Sequence, residues 1–142
     1  MNSSATDSLL AAACQAQSLA YAPYSRFRVG AAIRTGSGTI YAGCNVENAA
    51  SPVGTCAEAA AVAAMILGGE RKIAEVLVVG EGEVAATPCG ACRQILSEFA
   101  AAGARVHVAS RAGVQATFAL GELLPHCFGP ANLPAHATRT TK

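Results

Sequence analysis

Apolar positions along this chain change period several times, and each change marks an element. Residues 7–20, DSLLAAACQAQSLA, carry helix formers behind a capping-type aspartate with no breaker before Pro23, which predicts a first helix. Residues 27–35 and 39–46 are apolar, β-leaning runs joined by Gly36-Ser37-Gly38, the chemistry of a hairpin. A loop rich in turn formers, ENAASPVGT, then leads to a helix over 56–67 that Gly68-Gly69 ends. Residues 73–81, IAEVLVVGE, are the unbroken apolar run that a strand buried on both faces requires, and predict the central strand. A helix from about 90 to 102, a strand over 105–109 and a strand-like run at 115–120 complete the pattern. Strand, helix and strand from 73 to 109 form a crossover unit, hence a mixed sheet with helices packed on it.

Length fits this reading, since 142 residues suit one compact domain spanning 1–142, with the small, polar residues 135–142 expected to fray. Composition adds a partner. Hydrophobic residues reach 52% and charged residues only 13%, against roughly 25% in an ordinary soluble domain. So little charge leaves apolar surface to bury against identical subunits, and a homo-oligomer is expected. Net charge is +1 with no lysine or arginine block, which argues against nucleic acid as a partner and favours a small neutral substrate. The N-terminal MNSSATDSLL lacks a signal peptide's basic segment, and the longest apolar helical stretch, 57–67, is interrupted by Glu58 and too short for a bilayer. No membrane partner and a cytoplasmic location follow as expectations. In that compartment, six cysteines imply metal ligation or chemistry before disulfides.

The chemistry concentrates in two places. In TPCGACRQ, Cys89 and Cys92 stand at the start of a predicted helix behind Pro88. Free N–H groups and the helix dipole there favour the thiolate, the form that binds metal. Two thiolates do not complete a zinc site, which takes three protein ligands and a water for catalysis, or four ligands for structure. Cys56 in GTCAEAA, opening the other helix, is the best third ligand, with Glu58 two residues on. The pair alone also fits a redox couple or a structural zinc knuckle; Cys56 and Glu58 weigh against both. Cys14, Cys44 and Cys127 lack partners at ligand spacing and are expected as buried small hydrophobes. His107 and His126 read as structural, and the alanine stripe over 59–64 as a surface for close helix packing.

Cys-Ala-Glu followed some thirty residues later by Pro-Cys-Gly-Ala-Cys resembles the zinc nucleoside and base deaminases, whose glutamate is an acid/base and not a ligand. The resemblance extends through YAPYSRFRVGAA, GCNVENAA, TCAE, PCGACRQ and ELLPHCFGP, in the block order of the small homotetrameric cytidine deaminases, over about residues 21–133. It implies an α/β fold of three layers, α/β/α, with a mixed five-stranded sheet and helices on both faces. It implies one Zn²⁺ per subunit on Cys56, Cys89 and Cys92, with Glu58 as the catalytic acid/base. Phe27 would stack on the pyrimidine, Asn45 and Glu47 would hold the ribose hydroxyls, and Ala57 would join the substrate contacts. Phe128 would reach into a neighbouring subunit's site in a homotetramer. The reaction implied is hydrolysis of cytidine, with 2′-deoxycytidine, to the uracil nucleoside and ammonia, a step of pyrimidine salvage.

Two positions depart from the family pattern. Ala59 stands where arginine commonly follows the glutamate, and Ser51 where many relatives carry an aromatic. Three thiolates and Zn²⁺ sum to about −1, so positive charge near them is expected; the two helix N-termini supply part of it, and Arg93 is the nearest cationic side chain in sequence. The rival readings are a deaminase of blasticidin S or another modified aminonucleoside, which Ala59 favours and Phe27 and Glu47 oppose, a non-catalytic zinc-stabilised binding module, and a polynucleotide deaminase. The last usually begins its motif with His and carries basic surface.

Overall fold

The computed structural model describes residues 3–134. Its elements run α1 (Ser3–Ser18), β1 (Gly30–Thr35), β2 (Ile40–Cys44), α2 (Ala57–Leu67), β3 (Ile73–Val79), α3 (Gly90–Phe99), β4 (Ala100–Ser110), β5 (Gly113–Ala119) and α4 (Leu120–Leu123). The strands form one sheet in the order β2-β1-β3-β4-β5. Only β3 and β4 are parallel, the pair joined through α3, so the expected crossover and mixed sheet are both present. None of the described helices is long and apolar enough to cross a membrane.

Side-chain alternation along the strands divides the core in two. Ala31, Ile33, Val76, Val78 and Val106 pack with α2, α3 and α4 through Ala61, Met65, Leu96 and Leu120. Ala32, Leu77, Val79 and Ala109 face the other way and meet Leu9 and Ala13 of α1. Helices therefore cover both faces. Two glycines let them come close. A Cβ on Gly30 would collide with Ala13 O and lie 2.6 Å from Gln17 N of α1, whereas one on Gly43 would collide with Ala61 N and lie 2.7 Å from Ala57 O of α2. The alanine-rich α2 thus gains its close approach to a strand, where packing against another helix had been expected.

Several bounds differ from the sequence expectation for local reasons. The first helix begins at Ser3, so Asp7 lies inside it and does not cap it. Strand β1 begins only at Gly30, because the Asn45 side chain takes up the preceding backbone: Val29 N donates to Asn45 Oδ1 at 2.8 Å and Asn45 Nδ2 donates to Phe27 O at 2.8 Å. Strand β2 likewise stops at Cys44, and Val46 makes only isolated bridges to Tyr21 and Thr55. The third helix passes into β4 without a loop. Helix α4 carries no sequence expectation, and the expected fraying of 135–142 lies outside the described residues. Cys14 and Cys44 are half-buried and Cys127 is exposed, contrary to the expected burial. Cys127 follows His126, which turns the chain at φ 52° after α4.

A polar network stitches four strands together on the α1 face. Buried His107 bonds Glu75 Oε2 at 3.0 Å through Nε2 and Thr117 Oγ1 at 2.8 Å through Nδ1, while Arg34 Nε donates to Glu75 Oε1 at 3.0 Å. Burial pushes the Glu75 carboxyl up, but hydrogen bonds to His107 and Arg34 together outweigh it and hold the group below its ordinary value. A carboxyl lowered in the folded state adds stability that is complete above its unfolded pKa, about 4.3, and is lost as pH falls through the folded value. Glu75→Gln is therefore expected to unfold at lower urea than the parent near pH 7, with the gap closing below about pH 4; a gap constant with pH would refute the assignment. Gly43→Ala is expected to cost about 1–3 kcal/mol by overpacking α2 against β2, measured as a lower urea midpoint.

Candidate active site

Helices α2 and α3 start at the same place. Cys56 is the residue before α2 (φ −76°, ψ 154°) and Cys89 the residue before α3 (φ −64°, ψ 167°), both extended, with Pro88 ahead of the second. Neither thiol caps its helix, so both sulfurs are free to face a common point. Cys92 lies one turn into α3 and is buried. The three sulfurs lie within 4.8 Å of one another, Cys56 and Cys89 are 3.9 Å apart, and all are free thiols. A tetrahedral Zn²⁺ with bonds of 2.3 Å separates its sulfurs by ~3.8 Å, so the donor set fits a three-sulfur zinc site with one open position.

The thiols differ electrostatically. Burial pushes Cys92 far above an ordinary thiol, and the negative charges of Glu58 and the other two sulfurs add to this. Burial also raises Cys56. At Cys89 burial is outweighed by hydrogen bonds from the Cys92 main-chain N–H and from the Cys92 and Cys56 thiols, and the pKa falls. A divalent cation would displace the thiol protons.

Glu58, in the first turn of α2, is 4% exposed, and burial raises its pKa against hydrogen bonds from its own N–H and from Cys92. It lines a cavity of about 200 Å³ together with Phe27, Asn45, Cys56, Ala57 and Cys89. Asn45 and Cys56 also line a second, larger cavity of about 530 Å³ that holds Glu47, Tyr24, Ser25 and Ser51. Two lobes thus share one wall, with sulfur and a buried acid in the smaller and a carboxylate in the larger. Hydrogen bonds from the Ser25 hydroxyl and the Ser25 and Tyr24 main-chain N–H groups hold the Glu47 carboxyl below its ordinary value.

Three free thiols facing one point beside a buried carboxyl offer a metal ion three ligands and leave one position open. The family model described as the cytidine and deoxycytidylate deaminase zinc-binding region matches residues 3–109. The chain belongs to this family. A cytidine deaminase of Sporosarcina psychrophila is 38% identical over 127 residues, covering 89% of this chain and 93% of that protein. A cytidine deaminase of Mycobacterium tuberculosis is 43% identical over 123 residues, covering 86% and 88%. The crystal structure of cytidine deaminase from Burkholderia pseudomallei superposes with a TM-score of 0.80 at 40% identity, covering 86% of this chain and 98% of that one. The mixed five-stranded α/β fold is thereby the fold of the family, and the chain carries its zinc-binding region.

Of the residues singled out from sequence, Cys56, Cys89, Glu58, Ala57, Phe27, Asn45 and Glu47 line the two lobes, and Cys92 lies buried behind them in the sulfur cluster. Phe128 lines neither; it is 60% exposed, its carbonyl accepting from Gln94 Nε2 at 2.9 Å. Ser51 does border the larger lobe, while Ala59 is half-buried. Sequence reasoning passed over Val29, Val78, Ala86 and Thr87 in the smaller lobe, and Tyr24 and Ser25 in the larger. The apolar ones carry no chemical signal, but the hydroxyl two residues before Phe27 does.

Arg93 corrects an expectation, for its hydrogen bonds go to Pro88 O (2.8 Å), Leu123 O (2.8 Å) and Thr87 Oγ1 (3.1 Å), and none to sulfur. It ties the loop before Cys89 to α4, because carbonyls at that distance satisfy a guanidinium better than weakly accepting thiols do. Removing the tie frees the Cys89 end of the site. Arg93→Ala is expected to lose zinc to a chelator about tenfold faster than the parent. Equal retention of one zinc per chain would show that the loop holds without it.

Proposed function

We propose that this chain is a zinc-dependent cytidine deaminase, converting cytidine and 2′-deoxycytidine to the corresponding uracil nucleosides and ammonia. The observation that carries the proposal is three free thiols within 4.8 Å of one another beside a buried glutamate in a cavity that Phe27 closes. Cys56, Cys89 and Cys92 hold Zn²⁺, which when bound supplies a water acidified towards a pKa of about 7. The remaining work belongs to side chains. Glu58, whose carboxyl is raised above its ordinary value by burial, is the proton carrier: it would take one proton from the attacking water and give it to N3, then take the second from the hydroxyl added at C4 and give it to the departing amine. Ala57 forms the wall beside it.

The two lobes divide the substrate. The pyrimidine enters the smaller, where Phe27 offers a ring face, and the sugar occupies the larger, where Glu47 accepts and Asn45 donates. One of the Asn45 amide hydrogens already holds Phe27 O, which leaves the other for a hydroxyl. The enzyme works as a cytoplasmic salvage protein in a single domain, as a homotetramer in which the exposed Phe128 enters a neighbour's site. Low surface charge and an outward-facing phenylalanine beside α3 support that assembly. A net charge of only +1 with no basic block supports a free nucleoside over a polynucleotide.

Glu58→Gln keeps shape and zinc but removes the proton carrier. It is expected to lower kcat for cytidine by at least 10²- to 10⁴-fold with metal content unchanged. Loss of cytidine absorbance is compared for cytidine, deoxycytidine and blasticidin S. A parent that leaves cytidine intact but consumes blasticidin S would move the assignment to a modified aminonucleoside. A parent and Glu58→Gln protein equally inert on all three would mark a zinc-stabilised binding module.

A further inference from the structure

The turn that precedes Phe27 is unfavourable by itself. Arg26 has a φ of 57°, in the left-handed region that side chains other than glycine adopt at a cost in free energy. The Phe27 ring is 40% exposed and belongs to neither buried core cluster, so packing alone does not fix its direction. Its edge lies over Gly80, where an added Cβ would be 3.1 Å from Cζ and 3.5 Å from Cε1. The ring rests on bare backbone there, and its aim depends on the turn.

Within the set of bonds that hold that turn, one hydroxyl reaches the Phe27 amide. Ser25 Oγ accepts from Phe27 N at 3.0 Å and donates to Glu47 Oε2. The other carboxylate oxygen, Oε1, accepts from Tyr24 N at 2.9 Å and Ser25 N at 3.1 Å, and Arg26 N closes the turn on Ala22 O at 3.0 Å. An ionised acceptor strengthens its hydrogen bonds, so Glu47 anchors the loop while Ser25 passes the anchorage to the Phe27 amide. We propose that Ser25 is a positioning residue for Phe27, its hydroxyl bridging Glu47 and the Phe27 N–H so that the left-handed turn aims the ring at the pyrimidine. The inference rests on the nucleoside reading above and adds a residue whose hydroxyl, spent on Glu47 and the Phe27 N–H, acts through Phe27. It also gives the Glu47 carboxylate a second task, holding the loop for the base as well as facing the sugar.

The test compares Ser25→Ala, Ser25→Thr, Phe27→Ala and the double variant Ser25→Ala/Phe27→Ala, each at full zinc content. Ser25→Ala is expected to raise KM about tenfold for cytidine and deoxycytidine alike, with kcat within about twofold and thermal midpoint near the parent's. Ser25→Thr, which keeps the oxygen, restores KM to within about threefold. In the Phe27→Ala background, where there is no ring to aim, Ser25→Ala adds less than about twofold. A KM within twofold of the parent, a fall in kcat without a rise in KM, or full additivity with Phe27→Ala would each overturn the proposal. So would a Ser25→Ala chain that is not recovered folded, since Ser25 would then serve the fold. A parent without cytidine deaminase activity sinks the functional reading instead, and the same cycle is then read on cytidine binding by calorimetry, where the loss of the Ser25 effect without the Phe27 ring still decides.

Discussion

Three thiols lie within 4.8 Å of one another here because two helices begin at one point. The donor set of the site depends on that convergence. Helix α3 is brought there by the crossover between parallel β3 and β4, and helix α2 by its tight seat on β2. Gly43 is where backbone meets backbone, and any side chain there would push out the helix that carries Ala57 and Glu58. Gly30 does the same for α1 on the opposite face, so the β1–β2 hairpin is clamped between two helices. A packing requirement remote from the chemistry thus fixes where a sulfur and a carboxyl can be.

The second constraint is the irregular segment 24–29, held by side chains where a strand might have continued. Asn45 binds the backbone of Phe27 and Val29 with both ends of its amide, and Glu47 binds that of Tyr24 and Ser25. Residues proposed to grip the sugar therefore also shape the wall around the base. Such double use ties the two lobes together, since loosening either anchor moves both.

Much of this was legible from the chain. The unbroken apolar run ending at Val79 identified the central strand, and the proline before Cys89 placed two cysteines at a helix start. The triad with Glu58 could be read because metal chemistry restricts residue type and number so strongly. Illegible features were those set by tertiary partners. Nothing local to residues 27–29 announces that Asn45 will replace ladder bonds, so β1 read three residues too long. Nothing local to Arg93 distinguishes a sulfur partner from a carbonyl, and its tie to Leu123, thirty residues away, required the fold. Cys127 read as core because cysteine usually is, whereas the turn at His126 carries it outward.

Among the described residues no cationic side chain is hydrogen-bonded to the sulfurs, which can be understood through Glu58. Three thiolates and Zn²⁺ leave about −1, and Ala59 and Arg93 offer no hydrogen bond to neutralise it. The remaining positive potential is main-chain: free N–H groups at the ends of α2 and α3, and the Cys92 N–H that lowers Cys89. These dipoles point at the sulfurs and cost no reorganisation, yet none brings a full charge near the carboxyl. A full charge on an arginine packed against Cys56 would favour the ionised form of Glu58, and so oppose the burial that raises its pKa. A group that must give back the proton it takes works best when neither form is strongly preferred near neutral pH. Main-chain dipoles at the sulfurs and burial at the acid thus act on separate groups, the first lowering Cys89 and the second raising Glu58.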